Sequence, residues 1–301
     1  MKRLGIFLLV NVVAVATLTL VAAVVCHVCG FDISEIIEDG SYSALFIFAF
    51  IFGMAGALIS LCLSKTIVKM TMRCRTIDGS EGYAERWLVD TVRELALKAG
   101  IKTPEVAVYP GEANAFATGA RRNAALVAVS TGIMEQMTRE ELKAVLAHEI
   151  SHVSNGDMVT MALAQGIINT FVIFFSHILA HVVRSAISEK DERRRSSGGY
   201  FLHHMIVQVF QLFFGFLASI ILLWYSRRRE FAADEGAARL MGSPFSMVAA
   251  LRRLDNLQPG VLPDSIKAFG ITGKKSSIFS THPSIDERVE ALMNLQIVPG
   301  L

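Results

Sequence analysis

The chain has 301 residues, 52% of them hydrophobic, and a mean hydropathy of +0.47, which is too apolar for an ordinary soluble domain. A formal net charge of +2 supplies no basic field, so no nucleic-acid partner is expected. Four scattered cysteines exclude a disulfide framework.

The apolar excess is concentrated in four stretches, at about 4–28, 43–63, 159–187 and 201–225. Each reaches the roughly 20 residues that a membrane-crossing helix needs. The first follows a basic start, Met1-Lys2-Arg3, but is too long for the apolar core of a signal peptide and reads as a retained anchor. Cys26 and Cys29 stand at its end as C-x-x-C. No thioredoxin-like pattern surrounds them, so they read as small apolar residues rather than a redox or metal pair. Basic residues near span ends set orientation. Lys2 and Arg3, then Lys65, Lys69, Arg73 and Arg75, then Arg227, Arg228 and Arg229, put both termini and the segment after span two in the cytoplasm. The 188–199 loop carries Lys190 and Arg193–Arg195 and disagrees. Spans three and four either cross fully or form a shallow hairpin, and both routes return the chain to the side it left.

This divides the chain into two N-terminal spans (1–64), a first polar piece (65–158), spans three and four (159–225) and a second polar piece (226–301). The two polar pieces are expected to build one cytoplasmic domain. The first opens with an amphipathic helix through Trp87, Leu88, Val92, Leu95 and Leu97, stopped near Gly100. Strand-like runs follow at 106–109, 115–118 and 126–129. Thr138 with Glu141 predicts a capping box at the start of the next helix, Asn155-Gly156 its stop, and Asp157 a cap for the third span. The second piece reads as mostly helical, with a loose connector or flap at 258–280.

That capped helix contains His148-Glu149-Ile150-Ser151-His152, an H-E-x-x-H pattern. Imidazoles four residues apart share a helical face and can grip one metal ion, while Glu149 is placed to take a proton from an attacking water. A third ligand is required, and Glu230 is the best candidate. In Glu230-Phe-Ala-Ala-Asp234 two carboxylates lie one helical turn apart, so Asp234 is placed to hold the outer nitrogen of a ligating imidazole. This ligand set, His148, His152 and Glu230, is that of a zinc hydrolase acting on peptide bonds, with one Zn2+ per chain. His177 and His181 repeat the four-residue spacing without an adjacent Glu, and read as interfacial or bundle-facing polar residues. Gln165 and Asn169 are expected to bond to neighbouring helices.

The chain resembles the HtpX family of membrane-bound zinc metalloproteases, relatives of the type I CAAX prenyl proteases. The matching segments are Asn114-Ala-Phe-Ala-Thr-Gly119, His148 to His152 running into Asn155-Gly-Asp157, Ser226 to Asp234, and Thr281-His-Pro-Ser284 with Glu287-Arg288. The resemblance implies an α-helical integral membrane protein with four transmembrane helices and a mainly helical α+β, zincin-like (gluzincin) cytoplasmic domain. It implies an endopeptidase of the bacterial inner membrane, active site toward the cytoplasm, acting on damaged or misfolded membrane proteins or other unfolded polypeptides. It also implies a substrate-binding strand at Asn114, Ala115, Phe116 and Ala117, and donors to the reacting carbonyl at His282 and Arg288. For His282 a turn residue before Pro283 is an equal reading, with Ser284 and Glu287 as a capping box. The prenyl proteases differ in having more spans that enclose a large chamber, and nothing in this sequence suggests prenyl binding.

Two other functions compete. A catalytically silent metal-binding membrane scaffold is opposed by the intact Glu149. A small transporter is opposed by spans with few ionisable residues.

Overall fold

The computed structural model describes residues 41–188, 198–257 and 282–295. The span expected at 4–28, Cys26 and Cys29, most of the 188–199 loop and the 258–280 connector lie outside them. The elements run α1 (Tyr42–Thr71), β1 (Arg75–Ile77), α2 (Tyr83–Lys98), β2 (Glu105–Tyr109), β3 (Ala115–Thr118), β4 (Leu126–Ser130), α3 (Thr131–Gln136), α4 (Arg139–Asn155), α5 (Asp157–Ser188), α6 (Gly198–Met241), α7 (Phe245–Asn256) and α8 (Ile285–Met293). Among the described residues three helices, α1, α5 and α6, are long and apolar enough to cross a membrane. The described residues divide into two compact units, one drawn from Met1–Leu58 and Leu163–Ile221, the other from Ile59–Ala162 and Leu222–Leu301.

The first unit is helical. A Cβ on Gly53 would meet the Thr170 backbone nitrogen at 2.6 Å, and one on Gly166 the Met54 sulfur at 2.5 Å. Glycine at both positions lets the backbones of α1 and α5 approach closely, as small residues do in membrane helix pairs. Phe46 sets its ring edge-on to Phe174 at 5.4 Å. Many large apolar side chains, among them Phe50, Ile51, Phe213 and Ile221, stay exposed, as a lipid-facing surface requires. Among the described residues Gln165 and Asn169 bond to each other: the Gln165 amide donates to Asn169 Oδ1 at 2.7 Å along the same helix. One turn of spacing lets each satisfy the other at no cost in packing.

The second unit holds a four-stranded mixed sheet in the order β1-β2-β4-β3. β2 and β4 pair in parallel, while β1 on β2 and β3 on β4 are antiparallel. Side chains alternate between two covered faces. Val106, Val108, Ala115, Ala117, Val127 and Val129 join the main core with Leu88, Val92 and Leu95 of α2 and Val145, Leu146 and Ile150 of α4. Ala107, Tyr109, Phe116, Leu126 and Ala128 face the opposite way, onto Val68 in the last turns of α1. Burial on both faces explains why these strands read as continuous apolar runs. Lys65 (2.5 Å) and Lys69 both pair with Glu105 at the start of β2, which also accepts from the Thr76 hydroxyl at 2.9 Å.

Three local readings are revised. β1 was not legible in sequence, because only Ile77 of its three residues is buried. Leu97 follows the apolar pattern of α2 yet is exposed, since the buried stripe runs through Leu95 and Ala96 instead. The helix that carries the fourth apolar stretch does not stop at Tyr225: α6 continues unbroken to Met241, because no Pro interrupts the sequence that follows and the single Gly236 is carried within the helix.

Candidate metal centre

Helix α4 begins as its sequence dictates. The Thr138 hydroxyl accepts from the Glu141 amide, and the Glu141 carboxylate accepts from the Thr138 amide. Its end is equally local: Gly156 adopts φ 73°, a left-handed conformation that glycine takes without strain. Between these caps the helix is buried, and His148, Glu149 and Ser151 are almost without exposure. Gly236 of α6 lies against this helix, where an added Cβ would meet Ser151 Oγ at 2.6 Å. The missing side chain thus admits α6, and with it Glu230 and Asp234, to the histidine face.

His148 and His152 stand edge to face, their ring centroids 4.6 Å apart and their Nε2 atoms 3.1 Å apart. Glu230 closes a triangle with them: Oε2 is 3.5 Å from His148 Nε2 and Oε1 is 3.4 Å from His152 Nε2. In a tetrahedral zinc site with bonds of about 2.0–2.1 Å, neighbouring donors stand about 3.3 Å apart. The three donors already have that spacing.

The outer nitrogens explain why both Nε2 atoms turn inward. His148 Nδ1 lies 2.9 Å from Asp234 Oδ1, and His152 Nδ1 lies 2.5 Å from Asp157 Oδ2. Each Nδ1–H donates to its carboxylate, which assigns the tautomer and leaves a lone pair on each Nε2. Two lone pairs facing each other at 3.1 Å repel unless a cation lies between them. The charges agree. Glu230, Asp234 and Asp157 face two guanidiniums, Arg288 and Arg229, so carboxylates outnumber the fixed cations around the histidines and favour a bound cation.

Arg288 is fully buried and grips Asp234 with two hydrogen bonds, Nε to Oδ2 at 2.7 Å and Nη2 to Oδ1 at 2.6 Å. Its Nη1 is 3.5 Å from Glu230 Oε2. His282 Nδ1 is 2.9 Å from the same oxygen. The capping box expected after it is present, with Ser284 and Glu287 satisfying each other's backbone amides at the start of α8. Both readings of His282 are therefore compatible in one chain: it precedes a capped helix and also touches the site. Arg229 pairs with Asp157 at 3.1 Å.

Burial alone would raise the Glu230 and Asp234 carboxyls. His282, His148 and His152 outweigh it at Glu230, and Arg288 outweighs it at Asp234, so both stay ionised. Burial lowers the imidazoles, but Asp234 and Glu230 at His148, and Asp157 and Glu230 at His152, reverse the shift. The carboxylates that favour an imidazolium favour a metal cation in the same place. Glu149 differs: burial raises its pKa, against the two histidines and the Ala117 backbone amide, which is directed at its carboxylate.

That amide belongs to β3, which among the described residues is an edge strand paired with β4. Ala115 and Ala117 lie on the α4 side of the sheet and Phe116 on the other, against Tyr109 at 5.5 Å. Asn114 leads into the strand. Its amide donates to Ser130 Oγ at 2.9 Å and its carbonyl accepts from the Ser130 amide at 2.9 Å. All the predicted site residues thus fall in the second unit, on α4, α6, β3 with Asn114, and the segment from His282 into α8. Asp157, Arg229 and Ser130 were missed. The signal for Asp157 was its position five residues after His152, just past a glycine stop, which turns the first residue of α5 back onto the ring.

The sequence model of Peptidase family M48 matches residues 83–296. A protease HtpX homolog of Acidovorax ebreus is 49% identical over 98% of this chain and 99% of its own length. One of Paracidovorax citrulli is 47% identical over 98% of this chain and all of its own length. Among solved structures, a crystal structure of S. mikatae Ste24p shares the fold, with a TM-score of 0.53 and 20% identity; the match covers 85% of this chain and 63% of that one. With the buried zinc-type ligand set and the membrane-length helices, these matches identify the chain as a member of peptidase family M48, a membrane-bound, zinc-dependent metalloprotease.

Proposed function

We propose that the chain is an endopeptidase of the bacterial inner membrane that cuts damaged or misfolded membrane proteins. Its catalytic domain would be formed by 65–158 with 226–301 and face the cytoplasm, with four spans in all, including 4–28. The basic residues Lys65, Lys69, Arg73, Arg75 and Arg227–Arg229 support that orientation.

One observation carries the chemistry: three donors at zinc spacing, with Glu149 beside them on the same helix. His148, His152 and Glu230 would hold the ion, which when bound acidifies water and polarises the scissile carbonyl. Glu149 takes the proton of the attacking water and delivers it to the leaving amine. A carboxyl raised by burial suits both halves of that transfer. The substrate would add as a strand along the edge of β3 opposite β4, with main-chain bonds to Ala115–Ala117 and the Asn114 side chain nearby. Asp234 and Asp157 fix the two rings, and Arg288, clamped on Asp234, holds that arm rigid. His282, in contact with Glu230, and Arg288 beside it are the candidate donors to the developing oxyanion.

The test is zinc content and cleavage of an unfolded membrane protein by purified wild type and Glu149→Gln. The expected result is one catalytic zinc in both and a loss of about 10²–10⁴-fold in rate in the variant. Undiminished cleavage by Glu149→Gln sinks the mechanism. Labelling of a tag in the 188–199 loop from the cytoplasmic side would replace the four-span reading with the shallow hairpin.

A further inference from the structure

We infer that His177, His181 and His203 form a second metal site, in the helical unit, for one divalent ion of the zinc type. Four of the eight histidines lie on the facing parts of α5 and α6: His177 and His181 one turn apart on α5, His203 and His204 on α6. The His177 and His203 rings approach to 6.2 Å between centroids. His181, His204 and Arg184 all lie within electrostatic reach of His203. His204 is exposed, 6.1 Å from the His203 ring, and stands outside the proposed ligand set.

Bundle-facing burial, the expectation from sequence, explains where these side chains sit but not their hydrogen bonding. His203 is 8% exposed, and the Nδ1 atoms of both His177 and His203 are buried with no hydrogen-bond partner among the described residues. Native structures rarely leave buried polar atoms unpaired, and in a membrane-length helix an unpaired imidazole marks a functional position. Neutral imidazole is the commonest ligand for this class of ion, and three from two facing helices leave room for a water or an anion in a fourth position.

Among the described residues only His148, His152 and Glu230 already hold their donors within 4.8 Å of one another. The second set is wider, 6.2 Å between rings against 4.6 Å at the first pair, and must close on its ion. The rings can turn without breaking any hydrogen bond at those two nitrogens. Arg184 opposes a dication there, so binding should be weaker than at the first centre, and Arg184→Gln should tighten it.

The experiment uses the full chain in detergent, with Glu149→Gln to suppress self-cleavage, equilibrated with Zn2+ and analysed for bound metal. Two zinc ions per chain are expected, falling to one with His177→Ala and His203→Ala added. The same double substitution in the wild-type background should leave proteolysis unchanged. One ion in the parent, or two retained in the doubly substituted chain, overturns the proposal. If that chain does not fold, titration of the parent with Co2+ decides. Two successive absorbance steps from bound Co2+ support the second site, and a single step overturns it.

Discussion

His148/His152 and His177/His181 have the same four-residue spacing, each pair on one helix, yet their surroundings have little in common. At the first pair each outer nitrogen is tied to a carboxylate, Asp234 or Asp157, and a third carboxylate completes the donor triangle. At the second, the Nδ1 atoms of His177 and its neighbour His203 have no hydrogen-bond partner among the described residues, and a nearby charge is the Arg184 guanidinium. Spacing therefore makes two imidazoles available. The groups behind them decide whether they are held open for a metal before it arrives, or must be gathered by it.

The comparison can be broken most severely at Glu230. Glu230→Ala should drop zinc at the first centre below one per chain and abolish proteolysis, whereas full occupancy by metal analysis would remove it from the ligand set. Next come the groups behind the rings. Asp234→Asn and Asp157→Asn should each weaken zinc affinity or activity by about 10–100-fold. Competition with a chromophoric chelator measures this, and an unchanged affinity at Asp157→Asn would leave that residue with only its place at the start of α5. Gly236→Ala tests the close approach of the two helices instead. The added methyl meets Ser151, at a cost of about 1–3 kcal/mol in thermal or denaturant stability. Adding Ser151→Gly should return part of it; no recovery would place the strain elsewhere.

The smallest effect expected is at the sheet beneath. Burial opposes it, but Lys65, Lys69 and Thr76 hold the Glu105 carboxyl down at about 2, against an ordinary value near 4.5. Its contribution to stability is complete above the ordinary value and is lost as pH falls toward the depressed one. The stability gap between wild type and Glu105→Gln should thus be widest near neutrality and close through that acid window. A gap that does not change with pH would mean that the ion pairs are not its source.

Much of this architecture could be read from local chemistry. The Thr138–Glu141 box, the Gly156 stop and the shared face of His148 and His152 depend on residues within a few positions of each other, and they appear where the spacing put them. Glu230 and Asp234 were legible because one turn of helix fixes their relation to each other. What the sequence hid was contact across breaks or between distant segments. Asp157 reads as a helix cap until Gly156 turns it onto His152. Arg288 lies 54 residues from the carboxylate it grips, and nothing in its neighbourhood announces that partner. β1 was invisible because a three-residue edge strand with one buried side chain has no period to detect.

The Gly156 turn has a consequence in time. His152 finds its orienting carboxylate within five residues, so this arm of the site can form as soon as the end of α4 and the start of α5 have left the ribosome. The third donor and the partner of His148 come from Glu230 and Asp234, after the whole stretch 159–229 has been synthesised. The Arg288 clamp comes later still. A chain still being made therefore carries a half-built centre, and the ability to cut arrives only once Glu230, Asp234 and the Arg288 clamp have been added.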